Sequence, residues 1–212
     1  MAIMISTPDK RNVLWNIPLE TDIKKVKRFL RFKEGKTELS DSFTEKLEKN
    51  FNDTLLISNP SGIYATIRVV KHSEEYIKLD KFRKELNSKL FVKKFSGAEY
   101  ITVLAVTLGK GIMEYMEAQE LSDRVISDAT ASESVEFCAE YINNIINRDA
   151  HRTGFSTTMR FSPGYGKMSI DIQPEIIDFL KTEDIGLSVS ESCILVPEKS
   201  ITAFIGWVPV RS

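Results

Sequence analysis

Tyr100-Ile101-Thr102-Val103-Leu104-Ala105-Val106 is an apolar run of strand length, interrupted in its interior by Thr102 alone. A strand with one wet face alternates apolar and polar residues. This run does not, so it predicts a strand covered on both faces and lying near the centre of a sheet. Ser96-Gly97-Ala98 closes the segment before it, and Gly109-Lys110-Gly111 turns the chain after it. Upstream, the turn signal Asn59-Pro60-Ser61-Gly62 introduces Ile63-Tyr64-Ala65-Thr66-Ile67-Arg68-Val69-Val70, whose β-branched and aromatic residues favour a second strand.

Helical spacing surrounds this pair. Thr21 or Asp22 can cap a segment carrying Ile23, Val26 and Leu30, and Ser40 can cap one carrying Phe43, Leu47 and Phe51, with Lys33-Glu34-Gly35-Lys36 as the break between them. From 72 to 95 charged residues are dense, yet Leu79, Phe82, Leu86, Leu90 and Val92 can line a helical face. The longest helical signal runs over 122–147, capped by Ser122, with Val125, Ala129, Val135, Ala139, Ile142 and Ile146 on one stripe. Pro174 sits near the start of a short helix over 173–181, where its missing N–H costs nothing. Strand-like runs over 187–196 and 201–208 are joined by Pro197-Glu198-Lys199-Ser200, a connection short enough for an antiparallel hairpin. The pattern predicts an α+β fold: a single domain over 1–212 with a mostly antiparallel twisted sheet flanked by helices.

The bulk composition narrows the function. With 42% hydrophobic and 28% charged residues the chain suits a globular core, and a net charge of −1 provides no broad field to draw it onto nucleic acid or anionic membrane. A partner must therefore be recognised locally. Cys138 and Cys193 have apolar neighbours and read as buried thiols in preference to a disulfide. His72 and His151 share no metal-ligand spacing with each other or with the cysteines, which argues against a zinc site. The short apolar start is broken by Pro8-Asp9-Lys10-Arg11 before a signal-peptide core can form. The longest apolar run, 201–210, falls well short of the roughly 20 residues of a spanning helix. A soluble cytoplasmic protein is expected.

Chemistry has few places to reside. Gly109-Lys110-Gly111 has neither the Walker nor the dinucleotide spacing and reads as a strand-to-helix turn, although such a turn can still donate N–H groups to a ligand. No Ser-His-Asp or Cys-His arrangement stands out. The informative segment is Met159-Arg160-Phe161-Ser162-Pro163-Gly164-Tyr165-Gly166. Arg160 offers a fixed fork of donors for a carboxylate, and Pro163 stiffens the loop. Gly164 permits close backbone approach, and Tyr165 adds an aromatic face with a polar tip. These parts suit an amino-acid-bearing ligand; an arginine pairing with a local carboxylate beside a tight turn is the alternative. Glu191 is the second candidate. If 187–196 is one strand, alternation puts Glu191 on a buried face with Leu187, Val189, Cys193 and Leu195, where it must pair with an arginine such as Arg160 or bind a ligand donor. A strand-end residue reaching solvent is the other reading.

Arg160-Phe161-Ser162-Pro163-Gly164-Tyr165 resembles the R-x-x-x-G-Y S-adenosylmethionine loop in the reactivation (activation) domain of cobalamin-dependent methionine synthase. Asp184-Ile185-Gly186-Leu187, Ser190-Glu191-Ser192 and Pro197-Glu198-Lys199-Ser200-Ile201-Thr202 follow in the family's order, as its helix, its threonine-glutamate-serine strand and its closing hairpin. Thr107-Leu108-Gly109 and the helix around Glu136 to Tyr141 are similar to free-standing members. Residues 96–212 thus look like the activation-domain region with its ligand loop, and 1–95 align only loosely.

The resemblance implies that Arg160 holds the ligand's carboxylate, that Ser162 contacts adenosine through its backbone, that Pro163, Gly164 and Tyr165 shape the groove, and that Glu136 is an acidic ligand contact. Ser132, Glu140 and Asn143 share the helical face of Glu136, which also fits a merely solvated residue. The family's aromatic residue beyond the hairpin is expected to be missing or replaced in a chain ending at Ser212, and its N-terminal aspartate has no identified counterpart. By the same resemblance a partner, methionine synthase or another corrinoid protein, holds cobalamin. Its inactive cob(II) form gains an electron from a flavodoxin-type donor, and the reduced cobalt takes the sulfonium methyl. The chain is then a component of a methyltransferase, with no catalytic side chain of its own and no nucleic-acid or membrane partner. Two rivals stand beside it: a small-molecule methyltransferase, and an interaction module that regulates a corrinoid protein without S-adenosylmethionine.

Overall fold

The computed structural model of the protein describes residues 10–33 and 39–210, so the expected break at Glu34-Gly35-Lys36 lies outside the described residues. Strands β1 (Asn12–Trp15), β2 (Ser61–His72), β4 (Tyr100–Thr107), β8 (Ser200–Pro209) and β5 (Phe155–Thr157) lie side by side in that order, and β3 (Ile77–Leu79) pairs with the far end of β2. Every pairing is antiparallel. The sheet is thus the mostly antiparallel one that the sequence predicts, and the fold is α+β.

The central run behaves as expected. Strand β4 is hydrogen-bonded along its length to β2 on one side and β8 on the other. Period two then divides its side chains between two cores: Ile101, Val103 and Ala105 enter one, Leu104 and Val106 the other. Thr102, fully buried, is tolerated because its hydroxyl pairs with Thr66 Oγ1 at 2.8 Å and accepts from Trp207 Nε1 at 2.8 Å.

Helices cover both faces. On one side the 32-residue α5 (Leu121–Arg152) packs on β4, β8 and β5, with α1 (Ile23–Phe29), α2 (Asp41–Ile57) and α4 (Gly111–Glu117) packed against it. Its buried face is rich in small residues, Ala131, Cys138, Ala139 and Ala150 among them, which let the helix approach the sheet closely. On the other side α3 (Lys89–Lys94) and α6 (Gln173–Leu180) enclose a core built on Phe91, Phe95, Phe161 and Phe204. Phe91 and Phe95 stack at 4.1 Å, and Phe91 meets Phe161 and Phe204 edge-on at 5.4 and 5.5 Å.

Several expectations need correction. The helical face expected over 72–95 is mostly not helix. Ile77 and Leu79 pair with β2, Ile77 bridges Leu86, and only Lys89–Lys94 coils, because pairing buries Leu79, Phe82 and Leu86 against the sheet. Helix α5 begins at Leu121 with Glu120 at its cap position, whereas Ser122 lies inside the first turn and accepts from Lys46 Nζ at 2.9 Å. It also runs past Asn147, and Val125 is half-exposed instead of facing the core. The stretch 187–196 is not one strand. It folds on itself as the two-residue strands β6 (Ser188–Val189) and β7 (Leu195–Val196), while β8 pairs with β4 and β5, so the expected hairpin between 187–196 and 201–208 is absent. Among the described residues no helix is long and apolar enough to cross a membrane.

Candidate ligand groove between the long helix and the proline-glycine loop

After β5 the chain continues extended beside β8. Thr158 N donates to Gly206 O at 2.9 Å, Thr158 Oγ1 accepts from Gly206 N at 2.9 Å, and Phe161 exchanges two backbone bonds with Phe204 at 3.0 and 2.8 Å. Phe161 points into the phenylalanine core, so alternation directs its neighbour Arg160 to the opposite face, toward α5. There the Arg160 guanidinium donates through Nη2 to the Glu136 carboxylate. Arg160 is 19% exposed in its side chain and Glu136 58%, so the pair has one half-sheltered end and one wet end. The remaining terminal nitrogen, Nη1, is buried without a partner.

Immediately downstream the loop tightens. Tyr165 N donates to Ser162 O at 3.2 Å, with Pro163 second and Gly164 third at φ +86°, the residue order of a type II turn. Gly164 N reaches Met168 O and Met168 N reaches Tyr165 O, both at 2.9 Å, and Ser88 Oγ holds Gly166 O at 2.8 Å. Tyr165 leans edge-on against Phe161 at 5.6 Å while its ring stays 62% exposed. The segment thus carries a sheltered guanidinium with one unused terminal nitrogen toward α5 and, a few residues on, an anchored turn with an exposed tyrosine, parts that fit a carboxylate-bearing, ring-bearing ligand.

The residues singled out by sequence are therefore partly brought together. Arg160 and Glu136 touch, and Ser162, Pro163, Gly164 and Tyr165 form the turn next to them. Among the described residues, Glu191 makes no hydrogen bond or ion pair with them. It occupies the exposed tip of the β6–β7 turn, where Cys193 N donates to Ser190 O at 2.9 Å and Cys193 adopts φ +62°. A continuous strand cannot pass through such a backbone, so the argument for a buried carboxylate at Glu191 falls away. Gly109 belongs to a plain strand-to-helix turn, where its φ of +83° is a conformation that other residues rarely adopt. Cys138 and Cys193 are both free thiols. Cys138 is buried as expected, and Cys193 is only partly so.

Sequence reasoning missed the other contacts that fasten this region to α5. Thr157 Oγ1 donates to Asn147 Oδ1 at 2.6 Å, tying the end of β5 to α5, and Asn143 lies between this tie and Glu136 on the same helical face. Lys199, 14% exposed, pairs with Asp128 at 2.7 Å and with Ser132 Oγ at 3.0 Å, residues two turns and one turn before Glu136 on α5. Helical spacing placed Ser132, Glu140 and Asn143 on the face of Glu136, but nothing local revealed that the extended chain after β5 would close over it.

No family model and no curated protein matches the chain. Among solved structures it is similar to the crystal structure of the MetH reactivation domain bound to AdoHcy, with a TM-score of 0.65 over 97% of this chain and 81% of that one, at 15% sequence identity. At that identity the likeness concerns the course of the backbone. The helix-covered antiparallel sheet described above is the fold of the methionine synthase reactivation domain.

Proposed function

We propose that this chain binds S-adenosylmethionine in the groove between α5 and the 157–166 segment, and that it presents the methyl donor to a corrinoid protein as a reactivation subunit. The observation that carries the reading is the Arg160 guanidinium, sheltered beside the Pro163-Gly164 turn with Nη2 on Glu136 and Nη1 unused. A buried donor without an acceptor is a standing cost that a ligand carboxylate removes. The amino-acid end of the ligand carries both charges, so its carboxylate matches Arg160 and its ammonium matches Glu136. By the resemblance, backbone groups of Ser162, with Pro163, Gly164 and the exposed Tyr165, would receive the adenosine. For Glu191, at its exposed tip, only the sequence resemblance supports a ligand contact. The neighbouring fold was crystallised with AdoHcy, the demethylated form of this donor, which adds support of the same kind.

The residues have a positioning task. Arg160 and Glu136 hold the amino-acid end, the turn holds the nucleoside, and the sulfonium between them is left facing outward, so no protein acid or base is needed. Cobalamin held by a cytoplasmic partner and reduced by a flavodoxin-type donor would supply the nucleophile for the methyl group; Arg160, Glu136 and the 162–165 turn of this chain would hold S-adenosylmethionine for it and retain AdoHcy afterwards. Calorimetric titration with S-adenosylmethionine tests the ligand step. Arg160→Ala should weaken binding by about 1.5–3 kcal/mol, the loss of a charge-assisted hydrogen bond; an unchanged dissociation constant removes Arg160 from the site.

One observation favours a second reading. Glu136 already occupies part of the guanidinium, as in a purely structural ion pair, and a module that docks on a corrinoid protein without the nucleotide needs no more than that. Capture of the corrinoid protein with no nucleotide-dependent thermal shift would select it. A conventional small-molecule methyltransferase gains no such support, because Gly109 and Gly111 form only a tight entry to the seven-residue α4.

A further inference from the structure

Two polar atoms, one on α5 and one on the segment tied to it, are buried without partners: Arg160 Nη1, a donor, and Asn143 Oδ1, an acceptor. Their placement is set by two ties between α5 and the extended chain, Thr157 to Asn147 and Arg160 to Glu136. Residues 136, 140, 143 and 147 fall on one face of the helix, so Asn143 lies between the ties and faces the segment that carries Arg160. The amide orientation is determined by its neighbour. Asn143 Nδ2 donates to Glu140 Oε1 at 3.3 Å, and turning the amide over would set an acceptor against a carboxylate. Oδ1 thus has no donor within hydrogen-bond distance. Glu136 and Glu140, the neighbouring carboxylates on this face, make the position attractive to a cation.

We propose that Asn143 Oδ1 accepts from the ammonium of the bound amino-acid group, completing with Glu136 the cationic half of a zwitterion site whose anionic half is Arg160. The inference rests on the ligand reading above and adds to it a specificity-determining residue, with Glu140 as the positioning residue that holds the amide. Recognition then depends on the α-amino group: S-adenosyl ligands that carry it are selected over those that lack it.

The test titrates the full chain with AdoHcy and with its analogue in which hydrogen replaces the α-amino group. Asn143→Leu should lower AdoHcy affinity about ten-fold, the usual worth of a hydrogen bond to a charged group, and leave the analogue's affinity unchanged. Asn143→Asp keeps an acceptor, so it should hold or widen the preference for the amine. Equal loss for both ligands in the leucine variant, or no loss for either, overturns the proposal. Should that variant fail to fold, a preference that vanishes in Asn143→Asp overturns it instead. Wild-type protein that binds no AdoHcy removes the ligand reading and this inference together. Wild-type binding weakened by Arg160→Ala but indifferent to Asn143→Leu removes this inference alone.

Discussion

Gly166 shows how closely the loop beside Arg160 is built. Its φ is +56°, a left-handed backbone that costs most residues energy, and an added Cβ would sit 2.6 Å from Leu90 Cδ2 and 3.2 Å from Phe161 Cζ. Gly154 has the same handedness at φ +84° but nothing within 4 Å of that position. Gly166→Ala should therefore lower stability by about 2–4 kcal/mol and Gly154→Ala by about 1 kcal/mol, the difference being overpacking. Urea midpoints of the two variants measure it; equal losses would mean that the loop yields freely. At this scale the sequence was legible by type but not by meeting. Arg160 and Glu136 each stood out, yet 24 positions separate them and no spacing rule joins a helix residue to a loop. Glu191 misled because alternation presumes a strand. Ser190 Oγ instead accepts from Ile194 N at 3.1 Å, and a serine competing for the backbone in this way is a turn signal.

Among the elements, those with strong local causes were the readable ones. Helix α2 starts where Ser40 predicts: Ser40 Oγ accepts from Phe43 N at 3.3 Å, and Phe43 meets Phe32 edge-on at 5.6 Å. Ser40→Ala should cost about 1 kcal/mol, the usual worth of an N-cap, and lower the thermal midpoint; a midpoint unchanged would show that packing against α5 alone holds the helix end. Helix α1 and strand β4 were equally legible, the first through Asp22 and the second through its unbroken apolar run. Strands β1 and β5 were not, being four and three residues long. They flank the sheet at its two edges, where pairing with a long neighbour supplies the order that a short segment cannot encode. The same shortness hid the β6–β7 turn, and the partners of Leu79 and Leu86 lie on β2 and across a bridge, beyond the reach of helical periodicity.

For the molecule as a whole, one buried thiol and two partly buried phenols point to an alkaline limit. Burial pushes the Cys138 thiol from 9.0 up to about 12, and raises Tyr64 and Tyr115, with Asp149 and Asp53 respectively adding to the effect. In each case the folded state holds its proton more tightly than the unfolded chain, which ionises first as pH rises. Stability is therefore retained below about pH 9 and declines as pH climbs toward 12, by up to roughly 4 kcal/mol for the thiol alone. Urea midpoints between pH 7 and 11 should fall, and Cys138→Ala should flatten the slope; a slope that the variant leaves unchanged would assign the effect elsewhere.

The main chain on both sides of Arg160 is fastened to β8, at Thr158 and at Phe161. For the ligand proposed above, this fastening means that the ordering it demands would fall on itself and on a few side-chain torsions, with little loop entropy to surrender. Such a receptor is expected to capture by collision without a slow folding-over step, and to keep one side of its guest open to whatever molecule comes to meet it.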